Sequence, residues 1–427
     1  MAFAQFDRVP NHYAGDIIQR VKDFRQRIGK RSLAPTRLEI GDLEVLIPRH
    51  FGFCFGVERA IHMAFSALEQ HPDRSIYLVS EIIHNPLVNE DLQRRGVRFV
   101  YGSQGERQIA EGDIGAEDVV LIPAFGTTLE IEGSLQRSGI DTRSPRFRET
   151  FDTTCPFVSK VWDRGEELGR EGYTIVIHGK FRHEETQATA SHTRVHTRTL
   201  VVLDRQEARR VAGFIVGELS TEQFAAEFGD KWSPGFDPRR HLERLAVVNQ
   251  TTMLAEETRE VASILRDAMR RRYGAEQLDH HFADTNDTLC YATNWNQNAT
   301  KALLDVAPDL AVIVGGHNSS NTSHLVEICS EVMPSYLISR AVDLVDARRI
   351  RHFDLSTRSV AVADGWMPPS GPVRIAITSG ASCPDVVMNE VVERIAGFRG
   401  YGPPEIEAGL GRLTVHRGEA VAQEEGA

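Results

Sequence analysis

Leu43-Glu-Val-Leu-Ile-Pro48, Phe51-Gly-Phe-Cys-Phe-Gly-Val57 and Val57-x-x-Ala60-Ile61-x-x-Ala64-Phe65-x-x-Leu68 follow one another near the start of the chain. The first is a short apolar run of strand length. The second is a glycine-flanked corner carrying Cys54, and the third is an apolar stripe at i, i+3/i+4 spacing. Together they read as a strand feeding a helix. Further candidate strands are Ile76–Val79, Val119–Pro123, Thr174–His178, Leu245–Asn249, Leu310–Val314 and Arg374–Thr378. Amphipathic stripes follow several of them, such as Val158, Val161 and Leu168 after Cys155. Strands alternating with helices predict an α/β protein with mainly parallel sheets.

Two further corners repeat the first: Asp152-Thr-Thr-Cys-Pro156 and Asp287-Thr-Leu-Cys-Tyr-Ala-Thr293. The three cysteine corners divide the chain into comparable blocks, 41–150, 151–285 and 286–402, without a short sequence repeat. Residues 1–40 read as a polar, helical extension with Ile17, Ile18, Val21 and Phe24 on one face. Residues 213–244 read as an insertion in the middle block, and 403–427 as a tail. The cysteines admit two readings. Buried cysteines behave as small hydrophobes, whereas three thiolates from three separate corners suit a cubane iron–sulfur cluster with one open iron. No Cys-x-x-Cys pair occurs, so a zinc ribbon is not indicated.

With 427 residues and 41% hydrophobic content, the chain is long enough for two or three domains. Its net charge of −11 argues against nucleic acid as a main partner, because neutralising phosphates requires a Lys/Arg surplus. A small anion held by a few local donors remains compatible. Five cysteines, an odd number, do not make a disulfide framework and fit reduced thiols. The longest apolar runs are of strand length, so no membrane span is expected. The first 30 residues carry Asp7, Asp16 and Asp23 and lack the apolar stretch of a secretory signal. The expectation is a cytoplasmic protein.

Donor-rich loops follow the later strands. Gly315-Gly-His-Asn-Ser-Ser-Asn-Thr-Ser323 follows Leu310–Val314, and Ser379-Gly-Ala-Ser-Cys-Pro-Asp385 follows Arg374–Thr378. Ligands of open α/β sheets bind beyond the carboxyl ends of strands, where helix N-termini offer N–H groups. N-capping accounts for one such residue per loop; the run Asn318–Asn321 exceeds that need. No phosphate-loop or dinucleotide fingerprint is present, so a nucleotide is not indicated. His178-Gly-Lys-Phe-Arg-His183-Glu-Glu185-Thr186 places histidine and carboxylate at a strand exit. Gln187 stands where a zincin needs its second histidine. This stretch reads either as a solvated charged loop or as one that holds and protonates a ligand. Glu81-Ile-Ile-His84-Asn85-Pro86 offers another strand-exit histidine, and Asn249-Gln-Thr-Thr252 a polar end to Leu245–Val248.

In this order, from about Leu43 to about Asp385, the segments resemble the LytB/IspH family of 4-hydroxy-3-methylbut-2-enyl diphosphate reductases. The longer plant and cyanobacterial branch is the most similar, through Asp16-Ile17-Ile18, Phe53-Cys54-Phe-Gly-Val-Glu-Arg59, Pro123-Ala-Phe-Gly126, His178-Gly-Lys and the middle insertion. The resemblance implies three α/β lobes around a central cavity. It makes Cys54, Cys155 and Cys290 the ligands of a 4Fe-4S cluster. It matches His84, His183, Ser319, Ser320, Asn321 and Ser382 to the diphosphate-binding groups, Glu185 to the proton-supplying acid, and Thr251 to the hydroxyl that orients the substrate oxygen. His183, Glu185 and Thr251 are thus the implied catalytic residues. Short bacterial members carry Ser-Ala-His-Gly where this chain has Pro123-Ala-Phe125-Gly126, so one ligand contact is replaced, with Lys180 or Arg182 as candidates. Cys329 and Cys383 match no ligand position.

The implied reaction is reductive dehydroxylation of a small-molecule diphosphate, fed by a low-potential donor such as ferredoxin or flavodoxin. A non-redox iron–sulfur hydro-lyase is the alternative, and a binding protein with a degenerate site the third reading. The joint presence of Glu185, Thr251 and all three cysteines disfavours the last.

Overall fold

The computed structural model describes residues 10–29, 32–102, 105–283, 285 and 288–416. Residues 1–9 of the expected extension, residues 417–427 of the expected tail, and Asp287 before Cys290 lie outside the described residues. The chain divides into two compact units: Met1–Glu58, His84–Glu90 and Tyr291–Ala427 make one, Arg59–Ile83 and Asp91–Cys290 the other. The fold class is α/β, with three sheets whose central strands run parallel.

The first unit carries an eight-stranded sheet. Its centre is four parallel strands in the order Ser335–Ile338, Leu310–Val314, Val373–Ser379 and Leu43–Ile47. The hairpin Arg349–Asp354/Ser359–Asp364 extends one side antiparallel; Thr36–Ile40 and Thr414–Val415 extend the other. Successive side chains point to opposite faces. Val312, Val314, Ile375 and Ile377 accordingly enter one apolar cluster, and Ala311, Ile313 and Ala376 another. Burial on both faces explains why these strands are nearly continuous apolar runs. The strand Leu43–Ile47, which stands in sequence at the head of the first block, pairs with Val373–Ala376 in the sheet of the last.

The helix Asp16–Ile28 lies within the same unit. Ile17, Ile18 and Val21 share an apolar cluster with Val391, Val392 and Ile395, each side chain contributing about 1.5–3 kcal/mol by burial. The Ile17 N–H donates to Asn389 Oδ1 at 2.8 Å, and Lys22 pairs with Asp385 at 2.6 Å. The helical reading holds for Asp16–Ile28, whose apolar face is an integral part of the core, but not for Thr36–Ile40, which is a strand of the sheet paired with Leu43–Ile47.

The second unit carries two fully parallel sheets. One orders Arg98–Phe99, Ile76–Leu78 and Val119–Leu121; the other orders Thr199–Val202, Thr174–His178, Leu245–Asn249 and Phe282–Ala283. The 213–244 segment forms the helices Thr221–Phe228 and Pro238–His241, the first held by a Ser220/Gln223 capping box. Phe224, Phe228 and Phe236 enter the sheet's apolar cluster, and Trp232 stacks against Phe236 at 5.1 Å. Among the described residues no helix is long and apolar enough to cross a membrane.

Candidate active site

Parallel strands deliver their following loops to one edge, so residues at successive strand exits become neighbours. In the second unit Thr174–His178 pairs directly with Leu245–Asn249, with His178 opposite Asn249. The loop after the first strand leads into the helix Glu184–Thr193, whose N-cap is His183. His183 Nδ1 accepts from the Glu185 N–H at 3.2 Å. That acceptor role fixes the neutral tautomer with its proton on Nε2.

Glu185 is only 2% exposed and Thr251 only 4%. The Thr251 N–H donates to Glu185 Oε1 at 2.6 Å, and the Thr251 carbonyl accepts from the Cys290 N–H at 3.2 Å. One peptide segment thus ties the buried acid to a cysteine corner. Because Oε1 is an acceptor here, a proton carried by Glu185 sits on Oε2. Gln250 fastens the two loops further: its Oε1 accepts from the Lys180 N–H at 3.1 Å and from Thr186 Oγ1 at 3.2 Å. Lys180 is half-buried and Arg182 exposed.

Cys155 is the N-cap of Pro156–Arg170, and its N–H donates to the Ala124 carbonyl at 2.9 Å. Burial pushes the Cys155 thiol up to about 12, against the pull of the Phe157 and Val158 N–H groups; the neighbouring Cys290 and Glu185 add to the rise. The electrostatic proximity brings Cys155, Cys290 and Glu185 into one neighbourhood. Phe125 meets the His183 ring edge-on, with centroids 5.7 Å apart. The next residue, Gly126, has φ +75°, and a Cβ there would lie 2.4 Å from Trp162, so no other residue fits.

In the first unit three adjacent parallel strands, Leu310–Val314, Val373–Ser379 and Leu43–Ile47, end in the loops carrying Ser319–Asn321, Ser382 and Cys54. The Cys54 N–H donates to the Ala381 carbonyl at 3.1 Å, and the Ala381 N–H to Asn321 Oδ1 at 3.0 Å. Ser382 Oγ donates to the His84 carbonyl at 3.1 Å, joining that histidine to the set. Ser319 acts as the N-cap of Ser320–Ser330, its Oγ accepting from the Thr322 N–H at 3.3 Å and from Thr322 Oγ1 at 3.0 Å. The capping reading therefore holds for Ser319. Ser320 is buried at the first helical position.

Asn321 goes beyond capping. It is 3% exposed, and its Oδ1 also accepts from Asn296 Nδ2 at 3.4 Å. Those two donors fix the amide orientation and leave Nδ2 a buried donor with no acceptor among the described residues. Such a group costs about 1–3 kcal/mol unless something from outside accepts from it.

Sequence reading marked Gln250 only as part of a polar strand end, and missed Asn296 and Tyr291, whose OH accepts from the Phe55 N–H beside Cys54 at 3.2 Å. It also missed Thr322, which lies so close to Gly315 that a Cβ there would stand 2.5 Å from its hydroxyl. The glycine directly after a strand was the available signal for that approach.

None of the five cysteines forms a disulfide among the described residues, and they sort by environment. Cys54, Cys155 and Cys290 are partly exposed; Cys329 and Cys383 are buried inside apolar clusters. Burial also pushes the Cys329 thiol up to about 12 and raises that of Cys383. Among the described residues no three His, Cys, Asp or Glu gather as they would around a single metal ion. Cys155 and Cys290, near one another, nonetheless supply the sulfur donors that iron takes, and coordination to a metal would deprotonate a thiol outright.

Fold and residues define the class: an α/β enzyme with cysteines and a buried acid at the exits of parallel strands. The chain belongs to the LytB protein family, whose profile matches residues 45–396. It is 39% identical to a "4-hydroxy-3-methylbut-2-enyl diphosphate reductase" of Cyanothece sp., over 86% of this chain and 87% of that one. It is 42% identical to the protein of the same name from Synechococcus sp., over 84% and 86%. The solved E-1-hydroxy-2-methyl-but-2-enyl-4-diphosphate reductase from Plasmodium falciparum shares the fold, with a TM-score of 0.57 over 85% of this chain and 89% of that one, at 22% identity.

Proposed function

We propose that this chain catalyses the reaction for which its relatives are named. The allylic hydroxyl of (E)-4-hydroxy-3-methylbut-2-enyl diphosphate is removed reductively: two electrons and two protons enter, and water leaves with isopentenyl or dimethylallyl diphosphate. This is the last step of methylerythritol phosphate isoprenoid synthesis. The observation that carries the reading is the Glu185–Thr251–Cys290 chain of hydrogen bonds, which couples a buried acid to a cysteine corner in a LytB family member.

Cys54, Cys155 and Cys290 are the proposed ligands of a 4Fe-4S cluster with one open iron. When bound, such a cluster supplies electrons and a Lewis-acid iron for the hydroxyl oxygen. The protein's share of the chemistry follows from its own atoms. Glu185 accepts from the Thr251 N–H through Oε1, so Oε2 is the oxygen through which it passes a proton to where the hydroxyl departs. His183, capped through Nδ1, offers Nε2–H as a donor. The Thr251 hydroxyl orients the substrate oxygen. Asn321 Nδ2 donates to the diphosphate, with Ser319, Ser320, Ser382 and His84 as its companions; a diphosphate leaving water needs several such donors.

The proposed organisation is the three blocks 41–150, 151–285 and 286–402. A cytoplasmic setting fits five cysteines without a disulfide among the described residues, and a ferredoxin- or flavodoxin-type protein is the proposed electron donor. Anaerobic purification with iron and sulfide assay, then turnover of the diphosphate with and without a low-potential reductant, tests the function. Product only with reductant is expected. Dehydration without any electron donor would instead make the protein a hydro-lyase.

A further inference from the structure

The strand Ser359–Asp364 is the outermost strand of the eight-stranded sheet and pairs only with Arg349–Asp354. Natural edges are blunted by shortness, lysine, proline or bulges. The opposite edge of this sheet, Thr414–Val415, is two residues long. Ser359-Val-Ala-Val-Ala-Asp364 is six residues long, with no lysine or proline and an uncharged Val-Ala-Val-Ala interior. Val360 is 54% exposed and Val362 62%. Nothing in the described chain covers this edge.

We propose that this edge pairs antiparallel with the same strand of a second copy of the chain. The sequence is complementary to itself in one register. With the two-fold axis at Ala361, Val360 of one copy faces Val362 of the other and Ser359 faces Ala363, while Arg358, in the turn just before the strand, comes alongside Asp364. An isologous contact requires such self-complementarity. The register places four valines on one face and an opposite-charge pair at each end, both favourable cross-strand arrangements. Within the chain Asp364 pairs with Arg348 at 3.2 Å, but both side chains are largely exposed, and such pairs contribute little. Arg358 has no ion pair in the described chain, and at φ +53° it occupies a turn position that Asp tolerates at least as well. A strand pair of this length covers less than a standard interface, so the dimer is weak and concentration-dependent.

Sedimentation velocity of the full chain, from about 1 to about 100 µM, reads the association directly. The wild type should shift from monomer towards dimer across that range. Val362→Lys should raise the dissociation constant at least tenfold, with thermal melts confirming an intact fold. Arg358→Asp and Asp364→Arg should each weaken association by placing like charges opposite one another. The two combined should restore it to within about threefold of wild type, because the swapped pair is again opposite in sign. A wild type that stays monomeric throughout, a dimer indifferent to Val362→Lys, or charge swaps that fail to restore association would each overturn the proposal.

Discussion

The loops of the first unit and those of the second are built alike, at the exits of parallel strands, yet they spend their hydrogen bonds differently. In the second unit the acid is satisfied from within: Glu185 Oε1 takes the Thr251 N–H, and His183 caps the helix that carries Glu185. In the first unit Asn321 is fixed through its oxygen and keeps a buried amide donor with no acceptor among the described residues. A satisfied acid is positioned to act on a ligand; an unsatisfied donor is positioned to bind one. The contrast predicts that substitutions in the second set change turnover and those in the first change affinity.

The largest effect should come from the cysteines, which stand in both units. Cys54→Ser, Cys155→Ser and Cys290→Ser should each lose bound iron and activity, since a hydroxyl is a poor substitute for thiolate. Cys329→Ser should lose neither iron nor turnover, although its polar atom inside an apolar cluster will lower the melting temperature. Iron and sulfide assays on the four proteins check this, and equal iron contents would remove the ligand assignment. Glu185→Gln comes next. It keeps the acceptor for the Thr251 N–H and removes the acid, so iron content and substrate affinity should hold while turnover falls by roughly two to four orders of magnitude. Glu184→Gln is the control. If it abolishes turnover and Glu185→Gln does not, the acid is the neighbouring residue.

Why some of this was readable before the fold was known follows from local physics. Thr174–His178, Leu245–Asn249 and Leu310–Val314 were legible to the residue, because strands buried on both faces are uninterrupted apolar runs bounded by polar exits. The Cys54, Cys155 and Cys290 corners stood out through the contrast of a polar or glycine-rich turn with the stripes that follow. The pairing of Leu43–Ile47 with Val373–Ala376 was not legible, because register between segments more than 300 residues apart leaves no local trace. Nor was the hairpin Arg349–Asp364, an exposed pair of strands whose alternation is diluted by arginine and aspartate. Asn296 escaped for a related reason: an amide in a helix looks ordinary until its partner is known.

The first unit's set should answer through affinity. Asn321→Asp retains the oxygen that accepts from Ala381 and replaces the buried donor with an acceptor. The loop should keep its place while diphosphate binding weakens by about 1.5–3 kcal/mol, the worth of one hydrogen bond to a charged group, or roughly 10- to 150-fold. Calorimetric titration with substrate, compared with turnover at saturation, separates the two terms. A loss confined to saturated turnover would dissolve the contrast between the units.

Phe125 is the most delicate case, because it carries no polar atom yet touches a proposed donor. Its ring meets His183 edge-on at 5.7 Å, an aromatic contact of about 0.5–1.5 kcal/mol that restrains the imidazole laterally while Nδ1 is held by the Glu185 N–H. The backbone around it is constrained: Gly126 at φ +75° lies against Trp162, and the Ala124 carbonyl accepts from the Cys155 N–H. Phe125→His would add a donor at the position where the short bacterial relatives carry one, but it would exchange a snug apolar edge for a smaller polar ring. With His183 already oriented by its backbone contact, the substitution should change substrate affinity by less than about 1 kcal/mol, under tenfold, with iron content unaltered. A gain well beyond tenfold would mean that the second unit, like the first, governs diphosphate affinity, and the division of labour between the two sets would fail at this residue.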